Sequence, residues 1–129
     1  MRKVILMMLL AVVSASAAAE WLGLGVRETT TTYYDFSTIR RADDIAKVWK
    51  LIDYTTPPVQ SFTKPYKSHK EQAEFDCEKR KMRHIALIFY SGNMGEGDVL
   101  YSEDIPGSWN SPPAKSIDEF LMKIACGKE

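Results

Sequence analysis

Apolar positions along this chain alternate with polar ones in several short stretches and adopt a helical period only once, near the C-terminus. Trp21 to Arg27 places Leu22, Leu24 and Val26 on one face of a strand whose other face carries Gly23 and Gly25. Thr29 to Phe36 is β-branched and aromatic, which predicts a second strand. Asp35 to Asp44 is polar and charged and is expected to be a turn region. Ala46 to Tyr54 is short, β-branched and aromatic and stops before Pro57-Pro58, which favours a third strand over a helix. Thr55 to Pro65 contains Pro57, Pro58 and Pro65 and reads as a loop.

The strand Lys70 to Cys77 sets Ala73, Phe75 and Cys77 against Gln72, Glu74 and Asp76, as a half-buried strand requires. After a charged turn, Glu78 to Arg83, the run His84 to Tyr90 is apolar on both faces and suits the middle of a sheet or a subunit contact. Ser91 to Asp98 is a glycine-bearing loop, Val99 to Ser102 a last short strand, and Ile105 to Ala114 a connection rich in proline and glycine. A helix then begins at Ser116, where Ser116 and Glu119 form a capping box. Ile117, Phe120, Leu121, Ile124 and Ala125 make its apolar stripe, and Gly127 ends it. At about 100° per residue, Cys126 points away from that stripe. Strands first and one helix last, without alternation, predict an α+β fold: an antiparallel β-sheet with a C-terminal α-helix packed on a face.

The N-terminal pattern is different. Arg2 and Lys3 precede an apolar run, Val4 to Val13, and a tract of small residues, Ser14 to Ala19, with Ala15-Ser16-Ala17 as a cleavage motif. This is the pattern of a secretory signal peptide, too short in its apolar core for a membrane span. The expected division is 1-19 as leader and 20-129 as a single domain, starting between Ala18 and Glu20. The protein is expected to be exported, to the periplasm or beyond, with no transmembrane segment. Taking Arg2 and Lys3 from the 17 basic residues leaves 15 against 17 acidic ones, so charge gives no reason to expect nucleic acid as a partner. In an oxidising compartment Cys77 and Cys126 suggest one disulfide, worth roughly 4 kcal/mol on a chain-entropy model; free thiols or an intermolecular bridge are the alternatives. Neither cysteine directly follows the apolar run, so no lipoprotein-type acylation site is expected.

Catalytic signatures are absent from the sequence, and no enzyme activity is expected. His69 and His84 lack ligand partners at zinc-site spacing and read as surface and strand-edge residues; no metal is expected. Gly92, Gly95 and Gly97 precede a strand, whereas a phosphate loop needs a helix N-terminus. Asp35, Asp53, Asp76, Asp98 and Asp104 sit near strand ends or turns and are expected to be solvated. Two basic clusters remain. Lys79, Arg80, Lys81 and Arg83 are expected to solubilise a turn. Lys64, Lys67, His69 and Lys70 surround Tyr66, and this segment is the candidate surface for an acidic protein or a glycan, with Tyr66 as an aromatic anchor.

Several motifs in series carry a family resemblance. Tyr33-Tyr34-Asp35-Phe36-Ser37-Thr38-Ile39-Arg40-Arg41 resembles a Y-x-D-x-x-S-I-R-R stretch, with Thr38 in the place of Ser. Val48 to Tyr54 resembles V-W-x-L-x-D-Y, and Glu74-Phe75-Asp76-Cys77 followed by Arg83 resembles E-Y-D-C…R. Tyr90-Ser91-Gly92 with Met94-Gly95-Glu96-Gly97, Pro106 to Trp109, and Ser116 to Cys126 complete the order. Together they resemble the surface-adhesin E-like domain of Gram-negative bacteria over nearly all of the chain after the leader. The resemblance implies about six antiparallel strands and a helix tied by a Cys77–Cys126 disulfide. It also implies a non-enzymatic binding module that contacts host matrix and serum proteins such as laminin, vitronectin and plasminogen, and an association with homodimers and with haem. The basic segment Lys64 to Lys70 stands where the family's host-binding region lies. A periplasmic envelope protein or hydrolase inhibitor that probes with Ser91 to Asp98 is the alternative.

Overall fold

A computed structural model describes residues 20–56 and 65–127. Six strands, β1 (Leu22–Val26), β2 (Thr30–Ala42), β3 (Ile45–Tyr54), β4 (Ser68–Asp76), β5 (Lys81–Tyr90) and β6 (Val99–Glu103), form one antiparallel sheet in chain order. A 3-10 turn, Asn93–Gly95, precedes β6, and α1 (Ile117–Cys126) packs on β2, β3 and β4. The α+β class, an antiparallel sheet with a C-terminal helix on one face, follows the sequence pattern. The leader, 1–19, and Lys64 lie outside the described residues.

Alternation on β3 and β4 decides which face is covered. Ala46, Val48, Ala73, Phe75 and Cys77 turn towards the helix and meet Leu121, Met122, Ala125 and Cys126, with Tyr34 of β2 at the edge of the same core. The Cys77–Cys126 disulfide closes this core, with Cα atoms 5.6 Å apart. Because Cys126 must reach Cys77, α1 is rotated from the stripe predicted by hydrophobic periodicity. Met122 and Cys126 are buried, whereas Phe120 is 52% exposed and Ile124 is exposed as well. The last helical turn does not loosen: Cys126 is still helical and Gly127 closes α1 in the left-handed conformation, φ 71°.

Other local expectations need correction. Asp35 to Asp44 is not a turn region, because β2 runs on to Ala42. A register shift between Asp35 and Arg40 absorbs the polar residues. There the Thr38 hydroxyl donates to the Asp35 carbonyl at 2.6 Å and accepts from the Trp49 N–H at 3.0 Å, standing in for ladder bonds. In β1 a register shift between Gly23 and Gly25 breaks the alternation; only Leu24 packs on the core, and Val26 is 81% exposed. Lys81 and Arg83 belong to β5 and not to the turn. The capping box is half-formed: Ser116 accepts from the Glu119 N–H, but the Glu119 carboxylate accepts from Lys115 N–H at 3.0 Å instead of from Ser116, whose N–H is used by Pro113 O. The connection after β6 continues the sheet, with Gly107 and Asn110 bonding the His84 and Met82 backbone along the part of β5 that β6 leaves unpaired.

Two stability outcomes follow from the helix placement. Cys126→Ser removes the closure of a loop with a sequence separation of 49. It should cost roughly 4 kcal/mol, read as a large drop in Tm that reductant reproduces in the unmodified protein. Met122→Ala should cost about 2–5 kcal/mol, while Phe120→Ala should cost no more than about 1 kcal/mol. The reverse order in urea titrations would place the apolar stripe where periodicity alone puts it.

Candidate functional site

The helix covers only the half of its face nearest Cys77. On the other half, alternation brings Tyr54 of β3, His69 of β4, Phe89 of β5 and Tyr101 of β6 side by side, since Ile52 pairs with His69, His69 with Phe89, and Phe89 with Tyr101. Tyr66, just before β4, joins them. The His69 ring stacks on Phe89 with centroids 4.9 Å apart, and Tyr66 stands edge-on to both Phe89 at 4.9 Å and Tyr54 at 5.4 Å. Tyr101 at the sheet margin is 42% exposed, and its hydroxyl donates to Glu103 at 2.9 Å.

A polar seam separates this aromatic half from the helix-covered core. Lys50 Nζ lies 3.0 Å from Glu71 and 3.6 Å from Asp118 at the start of α1, and the Tyr34 hydroxyl donates to Asp118 at 3.2 Å. Burial alone would lower the Lys50 pKa, but Glu71 and Asp118 together outweigh it and hold the ammonium above its ordinary value. Burial, with Asp118 and Glu71 beside it, pushes the Tyr34 phenol up. The Tyr54 phenol is likewise raised, by burial first and then by Tyr66. His69 shifts the other way. Burial lowers its pKa from 6.5, Glu71 offsets part of this, and Lys50 adds to it. Tyr54 Oη is 2.9 Å from His69 Nδ1 and Glu71 is 3.9 Å from Nε2. The carboxylate favours the proton on Nε2, so the Tyr54 hydroxyl donates to Nδ1.

The basic segment read from sequence is therefore divided. Tyr66 and His69 enter the aromatic cluster, and Lys67 is exposed beside it. Lys70 is one residue past His69 in a strand and so lies on the opposite face. There it lines a pocket of about 230 Å³ with Trp21, Asp35, Thr38, Trp49, Ile88 and Tyr90. Its ammonium stands 5.8 Å from the Trp21 ring and 5.2 Å from the Tyr90 ring, a cation–π arrangement, and makes no ion pair among the described residues. No local sequence pattern predicts this pocket. Trp49 on the face opposite Val48 was the one available signal, but Trp21, Ile88 and Tyr90 come from remote segments.

The loop 91–98 is held down on that same face. Asp53 accepts from Met94 N–H at 2.8 Å, and the buried Ser68 hydroxyl accepts from Gly95 N–H at 2.9 Å while donating to Gly92 O at 2.6 Å. Glu74, read as half of a solvated face, is buried and pairs with Arg83 at 2.8 Å; the Arg83 guanidinium sits 4.2 Å from the Trp109 ring. Asp35, read as solvated, is 1% exposed. Tyr54 and Glu71 face the two ring nitrogens of His69, and the His84 ring lies against Gly107, within 2.6 Å of where a Cβ would stand.

The chain matches the family model described as surface-adhesin protein E over residues 21–127. No curated protein matches its sequence at a significant level. Two crystal structures of protein E from Haemophilus influenzae are similar to it. The crystal form II structure has a TM-score of 0.60 and 13% identity, covering 86% of this chain and 97% of that one. The structure from a non-typeable strain has a TM-score of 0.60 and 13% identity, covering 85% and 86%. At this identity the likeness is one of fold.

The depressed pKa of His69 has a stability consequence. Its contribution is complete above the unfolded value near 6.5 and is lost as pH falls through the lower folded value. Between about pH 7.5 and about pH 5.5 the Tm should fall, and His69→Gln should flatten that slope. Equal slopes in the two proteins would mean that the ring protonates without strain in the folded state.

Proposed function

The chain belongs to the surface-adhesin protein E family, and from that premise we propose that it is an exported, non-enzymatic binding protein whose 20-129 domain contacts a host matrix protein through the helix-free half of its sheet. The observation that carries this reading is the cluster Tyr54, Tyr66, His69, Phe89 and Tyr101, bordered by exposed Lys67. Tyrosine and phenylalanine supply large contact area at low entropic cost and are enriched at interface centres. A lysine at the rim steers an acidic partner. Among the described residues no helix is long and apolar enough to cross a membrane.

The periplasmic inhibitor reading loses support from the loop 91–98, whose backbone N–H groups at Met94 and Gly95 are bonded to Asp53 and Ser68. Those two N–H groups are therefore not offered to a target.

Laminin immobilised on a sensor surface is the first probe. Lys67→Glu combined with Tyr101→Ala should weaken binding by about tenfold or more. Lys70→Glu, on the opposite face, should leave it nearly unchanged. A folded Lys67→Glu/Tyr101→Ala protein that binds as well as the unmodified one would remove the aromatic half from the contact. Protease treatment of intact cells should cleave the domain; full protection would favour a periplasmic role.

A further inference from the structure

Asp35 is the most deeply buried carboxylate among the described residues, at 1% exposed. Glu74, the other buried acid, has Arg83, and half-buried Glu71 has Lys50; half-buried Asp53 accepts from the Asn93 amide and the Met94 N–H. Asp35 has none within ion-pair range among the described residues. Its Oδ1 accepts from the Ser37 N–H at 3.0 Å and from the Ser37 hydroxyl. Its Oδ2 accepts from the backbone nitrogen of Glu20 at 3.0 Å. A buried carboxylate held only by neutral donors is costly unless a counter-charge reaches it.

The sequence places that counter-charge one bond away. Glu20 directly follows Ala17-Ala18-Ala19, which puts small residues at both positions a signal peptidase reads. We propose that the leader is removed between Ala19 and Glu20, and that the α-ammonium so formed is the missing ion-pair partner of Asp35. Hydrolysis of the Ala19–Glu20 peptide bond consumes one water. It leaves a carboxylate on Ala19 of the departing leader and an ammonium on Glu20, whose nitrogen already stands at hydrogen-bond distance from Oδ2. A cut after Ala17, the other motif in this tract, would leave an amide at Glu20 and carry the charge two residues away.

The pair also borders the pocket on the face opposite the helix. Trp21 is tied to the sheet on its N-terminal side by Glu20 and Asp35, and both Trp21 and Asp35 line the pocket that holds Lys70. Leader removal therefore adds an ion pair to a wall of the pocket that Trp21 and Asp35 already line. The inference rests on the export reading above, but it can fail separately.

The full 129-residue chain, exported in a Gram-negative host, should give a mature product whose intact mass begins at Glu20. A start at Ala18 overturns the inference and leaves export standing; an unprocessed chain overturns both. Mature protein beginning at Glu20 is then compared with protein extended by one alanine, each with Asp35 or Asp35→Asn. The extension and Asp35→Asn should each lower the Tm by at least about 5 °C, and together by little more than either alone. Both should also shift Trp21 emission to the red. Additive losses, or an extension without effect, would show that the amine and Asp35 are not paired. Trp21→Phe supplies the control that assigns the emission change.

Discussion

The bond between Cys77 and Cys126 is the constraint on which the arrangement of this protein depends. It joins Cys77, the residue after β4, to the last residue of α1 and so fixes which side of the helix meets the sheet. Left to hydrophobic periodicity, α1 would bury Phe120 and Ile124; tethered, it buries Met122 and Cys126 and turns Phe120 and Ile124 outward. The tether also fixes where the helix lies. It spans the Cys77 half of the sheet and stops at the Lys50–Glu71–Asp118 seam, where charged groups take over from apolar ones. Beyond the seam, the same sheet face carries aromatic rings that the helix does not reach.

That division gives the molecule two surfaces of different character. On the helix side, the rings of Tyr54, Tyr66, His69 and Phe89 support one another, with Lys67 and Tyr101 at the margin. On the other side, Trp21 and Tyr90 flank the Lys70 ammonium in a pocket that Trp49 and buried Asp35 also line. β4 links the two, because its alternation sends His69 to one face and Lys70 to the other. A basic segment that looks continuous in the sequence is, in space, two separate contributions.

Much of the fold was legible because β3 and β4 alternate cleanly and α1 has its cap and its terminal glycine. What was not legible depended on contacts between distant segments. The length of β2 was hidden because Asp35 to Asp44 is polar; Thr38 keeps the strand going by bonding across to Trp49, which no local pattern reveals. Asp35 looked solvated because it precedes polar residues, yet the N-terminal segment closes over it. Of the candidate site, Tyr66 and His69 could be named from sequence. Their partners Tyr54, Phe89 and Tyr101 could not, because they meet only through the register of four strands.

Among the described residues, the aromatic half beside Lys67 and the outward stripe of Phe120 and Ile124 are competing apolar candidates for a partner. Carbene footprinting of the domain with and without bound laminin compares them directly. If the aromatic half is the contact, labelling falls at Tyr66, Lys67 and Tyr101 in the complex, with Phe120 and Ile124 labelled as in the free protein. Protection at Phe120 and Ile124, with Tyr66, Lys67 and Tyr101 unchanged, would contradict it.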